Sequence, residues 1–183
     1  MDALCFSANS NAVISVSGGS LSGNRFGIGF LDGIDPSTTV TLGGAALTVS
    51  GAIDHGIYAG VAAVSGALTI TGGTFSSGGG TKAGMYINTG ITKPVSIADA
   101  TFTGGGFGLA IGCAACTIQT EVTLTNVIAT STGTPTAALS ITANSGTTIT
   151  AIGGTLTGAD FGVVVSGASN AAMTFTGVTV AAS

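Results

Sequence analysis

Seven carboxylates, three cations and one histidine are all the charge that this 183-residue chain offers to chemistry. Cleaving a glycosidic bond by acid and base takes two carboxyl groups about 5–10 Å apart. Asp32 and Asp35 share one short segment and are the pair best placed to approach. Gly33 and Pro36 beside them are also the residues of a plain turn. Two carboxylates on a loop are thin support for calcium, which takes six to eight oxygen ligands. Asp54 and His55 form a pair of the general-base type, but no nucleophile or third member accompanies them. Cys113 and Cys116 make one CxxC, and His55 is the sole histidine, so a four-ligand zinc site is not available. A redox CxxC belongs in a βαβ context that this sequence lacks. The pair is a candidate local disulfide, or two small core residues, and leaves Cys5 odd. No catalytic, cofactor-binding or metal-binding set emerges, and the expectation is a protein that is not an enzyme.

Composition narrows the partners. Charged residues make up 5% of the chain, against about 25% in ordinary soluble domains. Three basic residues cannot build a patch that neutralises phosphates, so no nucleic acid partner is expected. An anionic membrane surface fails on the same ground. Apolar residues reach 45%, which opposes disorder. They come in short runs broken by Gly, Ser and Thr, as in LTVSGAIDHGIYAG, so no transmembrane helix is expected. A membrane β-barrel would want strands of about 10 residues and aromatic girdles, and this chain has no Trp and two Tyr. The opening MDALCFSANS has neither the basic nor the apolar region of a signal peptide.

The elements that carry these residues are set by a repeat. Apolar–Ser/Thr–apolar–x, a small pair, then Ser/Thr and an apolar residue recur from Ile14, Leu47, Leu68, Val95, Val122, Ile149 and Met173. The starts are 33, 21, 27, 27, 27 and 24 residues apart, 26.5 on average. A second block, Gly or Ala followed by apolar–x–apolar, begins at Gly27, Gly56, Gly84, Gly108, Ala138 and Gly162. A weaker third strand is expected at 39–42, 62–65, 90–93 and 117–120. Each block alternates, which predicts a strand with one buried face. The gaps leave no room for crossover helices, and 32 glycines oppose helix anyway. Three short strands in a period of about 27 residues describe a coil of a parallel β-helix. The fold class is therefore all-β: a single-domain parallel β-solenoid of six to seven coils over 13–183, with 1–12 as an N-terminal cap or arm.

Coil register then places the polar residues. Inward stacks are expected along Leu47, Leu68, Val95, Val122 and Ile149, along Val49, Ile70, Ile97 and Leu124, along Phe75, Phe102 and Leu156, and along Met85, Leu109, Leu139 and Val163. ITAI at Ile149 puts Ala151 at an apolar position, so a local distortion is expected there. Arg25, Asp54 and Lys82 precede the second block equivalently and are expected to stack as a plus–minus–plus ladder. Outward Thr48, Thr69, Thr71, Thr123, Thr125, Thr174 and Thr176 are the candidate ice- or ligand-binding face. Thr is also simply a favoured exposed strand residue, and Ser76, Thr103, Thr130 and Thr157 make an equally Thr-rich column. Sugar binding would draw on Tyr58 and Tyr86, one coil apart.

With its LTVSG and GGTF turns the chain resembles the right-handed parallel β-helices of bacterial surface proteins, in particular autotransporter passenger and adhesin regions. The likeness runs from Val13 to Val180 and is one of coil chemistry. It implies a right-handed, extracellular or cell-surface shaft without a cofactor. A surface of Thr, Ser, Gly and Ala with few charges resists association weakly, and solenoid ends are templates for pairing. The first expectation is thus a non-enzymatic structural subunit that associates with itself, end to end or laterally, as a filament, sheath or adhesin shaft. A binding module for ice or glycan is the alternative, and a polysaccharide lyase or hydrolase of the same fold class is the third.

Overall fold

A computed structural model of the chain describes residues 1–7, 9–60, 62–134, 136–142, 148–167 and 172–183. Its strands fall into three parallel sheets of seven strands each, and every strand pairs with its equivalent one coil away. Sheet A holds Leu4–Phe6, Ile28–Phe30, Ile57–Gly60, Ala83–Asn88, Phe107–Gly112, Ala137–Thr142 and Phe161–Ser166. Sheet B holds Val13–Ser17, Thr39–Gly43, Ala67–Thr71, Val95–Ala98, Glu121–Thr125, Thr148–Ile152 and Ala172–Thr176. Sheet C holds Ser20–Gly23, Thr48–Gly51, Thr74–Ser77, Thr101–Gly104, Ile128–Ser131, Thr155–Gly158 and Thr179–Ala182. The chain visits A, B and C in turn, which makes it a β-solenoid. We number its rungs 1 to 7 from the N-terminus.

Strands form because inward positions are filled by apolar residues in unbroken columns. Sheet B stacks Ile14, Val40, Leu68, Val95, Val122, Ile149 and Met173. Sheet C stacks Leu21, Val49, Phe75, Phe102, Ala129, Leu156 and Val180. Phe75 and Phe102 are fully buried, with ring centroids 5.1 Å apart and planes 17° from parallel. Ile34, Val64, Ile91 and Ile118, all fully buried, form a fourth column of single bridges between sheets A and B.

The repeated first block spans a corner, because its small pair turns the chain from sheet B into sheet C. The first corner residue has positive φ at Gly18, Gly44, Gly72, Asp99, Asn126, Gly153 and Gly177. Gly accepts that conformation without strain, and Asp and Asn are the side chains that visit it most readily. The ladder continues through the turn: Gly44 N–H donates to Thr71 O, Gly72 to Ala98 O, Asp99 to Thr125 O and Asn126 to Ile152 O. The glycine that opens the second block has a different cause. A Cβ on Gly84 would lie 2.7 Å from both Phe75 O and Thr103 N, since sheet C passes directly behind it.

Two expectations need correction. LTVS at Leu47 has the alternation of sheet B, yet Thr48–Gly51 pairs with Ser20–Gly23 and Thr74–Ser77 in sheet C. The sheet B strand of rung 2 is Thr39–Gly43, which sequence placed in a third block. Val40 and Leu42 therefore replace Leu47 and Val49 in the two sheet B columns. With Val40 as the start of that copy, the spacings become 26, 28, 27, 27, 27 and 24 residues, close to uniform. No distortion occurs at Ala151 either. Thr148–Ile152 keeps five consecutive partners on both sides, and Ala151 is buried between Leu124 and Phe175. Within the segment expected as a cap or arm, of which residue 8 lies outside the described residues, Leu4–Phe6 is the first strand of sheet A.

Candidate functional site

Sheets B and C present mainly hydroxyl-bearing and small side chains to solvent, with Val13, Ile128 and Ile152 exposed among them and Glu121 as the one charged residue in their strands. The outer face of sheet A differs on rungs 2 to 4. There Arg25, Phe26, Leu31, Asp54, His55, Tyr58, Lys82, Tyr86 and Asn88 line a depression of ≈ 390 Å³. Rung register brings them together. Tyr58 and Tyr86 are direct partners on neighbouring strands, and Asn88 pairs with Gly60 two residues on. Gly60 gives room for a ring: a Cβ there would sit 2.2 Å from the Tyr58 hydroxyl oxygen.

The aromatic rings make one cluster. Phe26 stacks on Tyr58 at 4.7 Å and 9°, and Tyr86 meets Tyr58 edge-on at 6.1 Å. Arg25 covers Phe26 at 4.5 Å from the ring centre, so Phe26 is buried and the half-buried tyrosines form the accessible ledge. Tyr86 O–H donates to Asn88 Oδ1 at 2.9 Å, and Asn88 Nδ2 donates to the Tyr58 oxygen at 3.4 Å. Burial, with Tyr58 adding to it, raises the Tyr86 pKa, so the Tyr86 ring remains a neutral phenol at ordinary pH.

Charge in the depression is paired. Arg25 donates from Nε and Nη2 to the two Asp2 oxygens at 2.9 and 2.7 Å, and that contact pulls the Asp2 carboxyl down to about 2. Lys82 Nζ lies 3.4 Å from Asp54 Oδ1. The expected ladder is thus half right: Lys82 meets Asp54, while Arg25 turns to Asp2 on rung 1. His55 is buried, and its Nδ1 accepts the Ala83 N–H at 2.9 Å. Its neutral form must then carry the proton on Nε2, which faces Asp54 Oδ1 at 3.2 Å. Burial depresses its pKa to about 4. Asp54 Oδ1 itself is buried without a hydrogen-bond partner among the described residues. With Nδ1 taken by the Ala83 N–H and the ring buried, His55 is a packing and positioning group.

A smaller hollow of ≈ 160 Å³ continues the depression on the far side of Tyr86, over Phe107, Ala110, Gly112, Ser140 and Thr142. His55 and Tyr86 border both. The two adjoin at these residues, so the lined strip of the sheet A face, the groove, reaches from rung 2 to rung 6.

No protein-family model matches the chain, and neither a curated protein nor a solved structure matches it.

The remaining candidates fall elsewhere. Thr69, Thr71, Thr123, Thr125, Thr174 and Thr176 lie on the outer face of sheet B. Thr48 does not join them, because it stands on sheet C between Ser20 and Thr74. Asp32 and Asp35 do line one cleft, together with Asn9 and Pro36. Asp35 accepts hydrogen bonds from the Ser37 backbone and hydroxyl, which lower its pKa. A general acid needs the opposite shift. Cys113 and Cys116 form the disulfide, closing a turn after rung 5 of sheet A, and Cys5 is free and exposed. Among the described residues no group of three metal-ligating side chains occurs, and no helix is long and apolar enough to cross a membrane. Sequence reasoning missed Asp2, Phe26 and Asn88. Asn88 was within reach, since it follows Tyr86 by two residues and shares its face.

Proposed function

We propose that this protein is a non-enzymatic, extracellular β-solenoid that binds a glycan chain along the outer face of sheet A. One observation carries the reading. Both tyrosines, the single histidine and two of the three cations of the chain converge on one strip, while the outer faces of sheets B and C carry mainly small and hydroxylated residues, with Val13, Ile128 and Ile152 as exposed apolar exceptions. Accessible aromatic rings beside fixed amide and hydroxyl groups are what a sugar face requires: an apolar platform with polar groups that set orientation. The Cys113–Cys116 disulfide suits an oxidising compartment. Native gel electrophoresis through soluble polysaccharides tests the reading. Retardation by at least one polysaccharide is expected, with the mobility restored by Tyr58→Ala. Equal mobility in every polysaccharide counts against it.

Self-association is the second reading, and the end rungs support it. Phe175 and Val180 occupy inward columns of rung 7 yet are 41% and 50% exposed. Their column positions on rung 1 hold Val16 and Leu21, so a second copy would continue both columns. Light scattering across concentration is the test. Growth in mass that Phe175→Glu abolishes supports it, and a monomer at all concentrations refutes it.

A further inference from the structure

We infer that the groove selects an uncharged oligosaccharide, lying along the solenoid axis, over an acidic one. This rests on the glycan-binding reading and narrows it. Every cation that lines the groove already holds its own carboxylate. Arg25 grips Asp2 through two hydrogen bonds, and Lys82 sits 3.4 Å from Asp54. A uronic acid would have to displace one of these carboxylates, leaving a partly buried anion beside a second anion. The third cation of the chain, Lys93, does not line either hollow. The groove is therefore neutral by pairing, and it has no free positive charge to offer a polyanion.

Its unsatisfied capacity is of the other kind. The Tyr58 oxygen accepts from Asn88, so its own O–H is free to donate. Asn88 Nδ2 keeps a second hydrogen, and Oδ1, which takes the Tyr86 O–H, keeps a lone pair. Donors and acceptors mixed on one small group match a sugar hydroxyl, which is itself both. Further along, Ala110, Gly112, Ser140 and Thr142 leave a shallow uncharged floor. Rungs 2 to 6 cover roughly 20 Å at about 4.8 Å per rung, which accommodates several sugar units in an extended chain.

The test is isothermal titration of the whole chain with cellohexaose, maltohexaose, mannohexaose and hexagalacturonate, at 20 and 200 mM NaCl. At least one neutral hexasaccharide should bind with a Kd at least tenfold below that of hexagalacturonate, changing less than twofold with salt. Tyr58→Ala should weaken that binding tenfold or more, and Tyr58→Phe should recover part of it, with circular dichroism showing both variants folded. Hexagalacturonate binding tightest, and weakening with salt, would overturn the selectivity and leave the glycan reading standing. No heat or shift with any of the four probes would overturn both.

Discussion

Replacing Phe102 with Ala removes a fully buried ring that stacks on its neighbour in the sheet C column. Phe→Ala in a core costs about 3–5 kcal/mol, more where the site cannot collapse. Here the cavity would open between the Phe75 ring, 5.1 Å away, and Ala129, which has no bulk to offer from the other side. The upper half of that range is therefore expected, about 4 kcal/mol. With a guanidinium m-value of about 4 kcal/mol per molar, the unfolding midpoint should fall by about 1 M. Phe75→Ala and the double variant close a cycle, in which the stacked pair should show a coupling of about 0.5–1.5 kcal/mol. A midpoint shift below about 0.3 M at unchanged m, or zero coupling, would refute the claim that these columns hold the rungs together.

The His55 shift has a definite sign. Folding depresses its pKa to about 4, so between that value and about 6.5 the unfolded chain binds the extra proton and stability falls as pH drops. About 3 kcal/mol should be lost over this window, none above it, and His55→Gln should flatten the slope in pH-resolved thermal melts. Gly84→Ala should destabilise by about 1–3 kcal/mol, because two backbone groups of sheet C must retreat, whereas its rung 6 equivalent is already Ala138. Asn126→Gly should be nearly neutral and Asn126→Val destabilising, by about 1 kcal/mol or more, since the corner needs positive φ. Reducing Cys113–Cys116 should cost at most about 2 kcal/mol, the loop-closure value for so short a ring, and should leave the far-ultraviolet spectrum unchanged.

The solenoid was legible in the sequence because its columns repeat: the alternation around Leu68, Val95, Val122 and Ile149 names the same face four times over. The rung 2 slip shows the limit. Leu47-Thr-Val-Ser and Thr39-Val-Thr-Leu alternate equally well, and alternation alone cannot say to which of three sheets a strand belongs. The corner decides it, since Gly44 takes the positive φ and Gly43 lies against Thr71 O of the next rung. The site was half legible for a similar reason. Register put Arg25, Asp54 and Lys82 in one column, but a column says nothing of competing partners, and Asp2 reaches Arg25 from the segment expected as a cap or arm. The expected inward stack through Met85 already turned Tyr86 outward by alternation, and the buried Ile57 and Ala59 show that Tyr58 faces the same way.

The disulfide joins residues three apart and so ties no rung to another. Among the described residues, adjacent coils are held only by noncovalent contacts: backbone ladders, side-chain stacks, side-chain hydrogen bonds and ion pairs. Under tension applied to its two ends, such a rod has no covalent rip-stop. It should come apart like a coiled ribbon, one coil at a time from the weaker end. Each event would release a nearly constant length of chain, about 90 Å for some 27 residues drawn straight. A tether built this way yields in equal increments and sheds load with each, instead of failing at a single threshold.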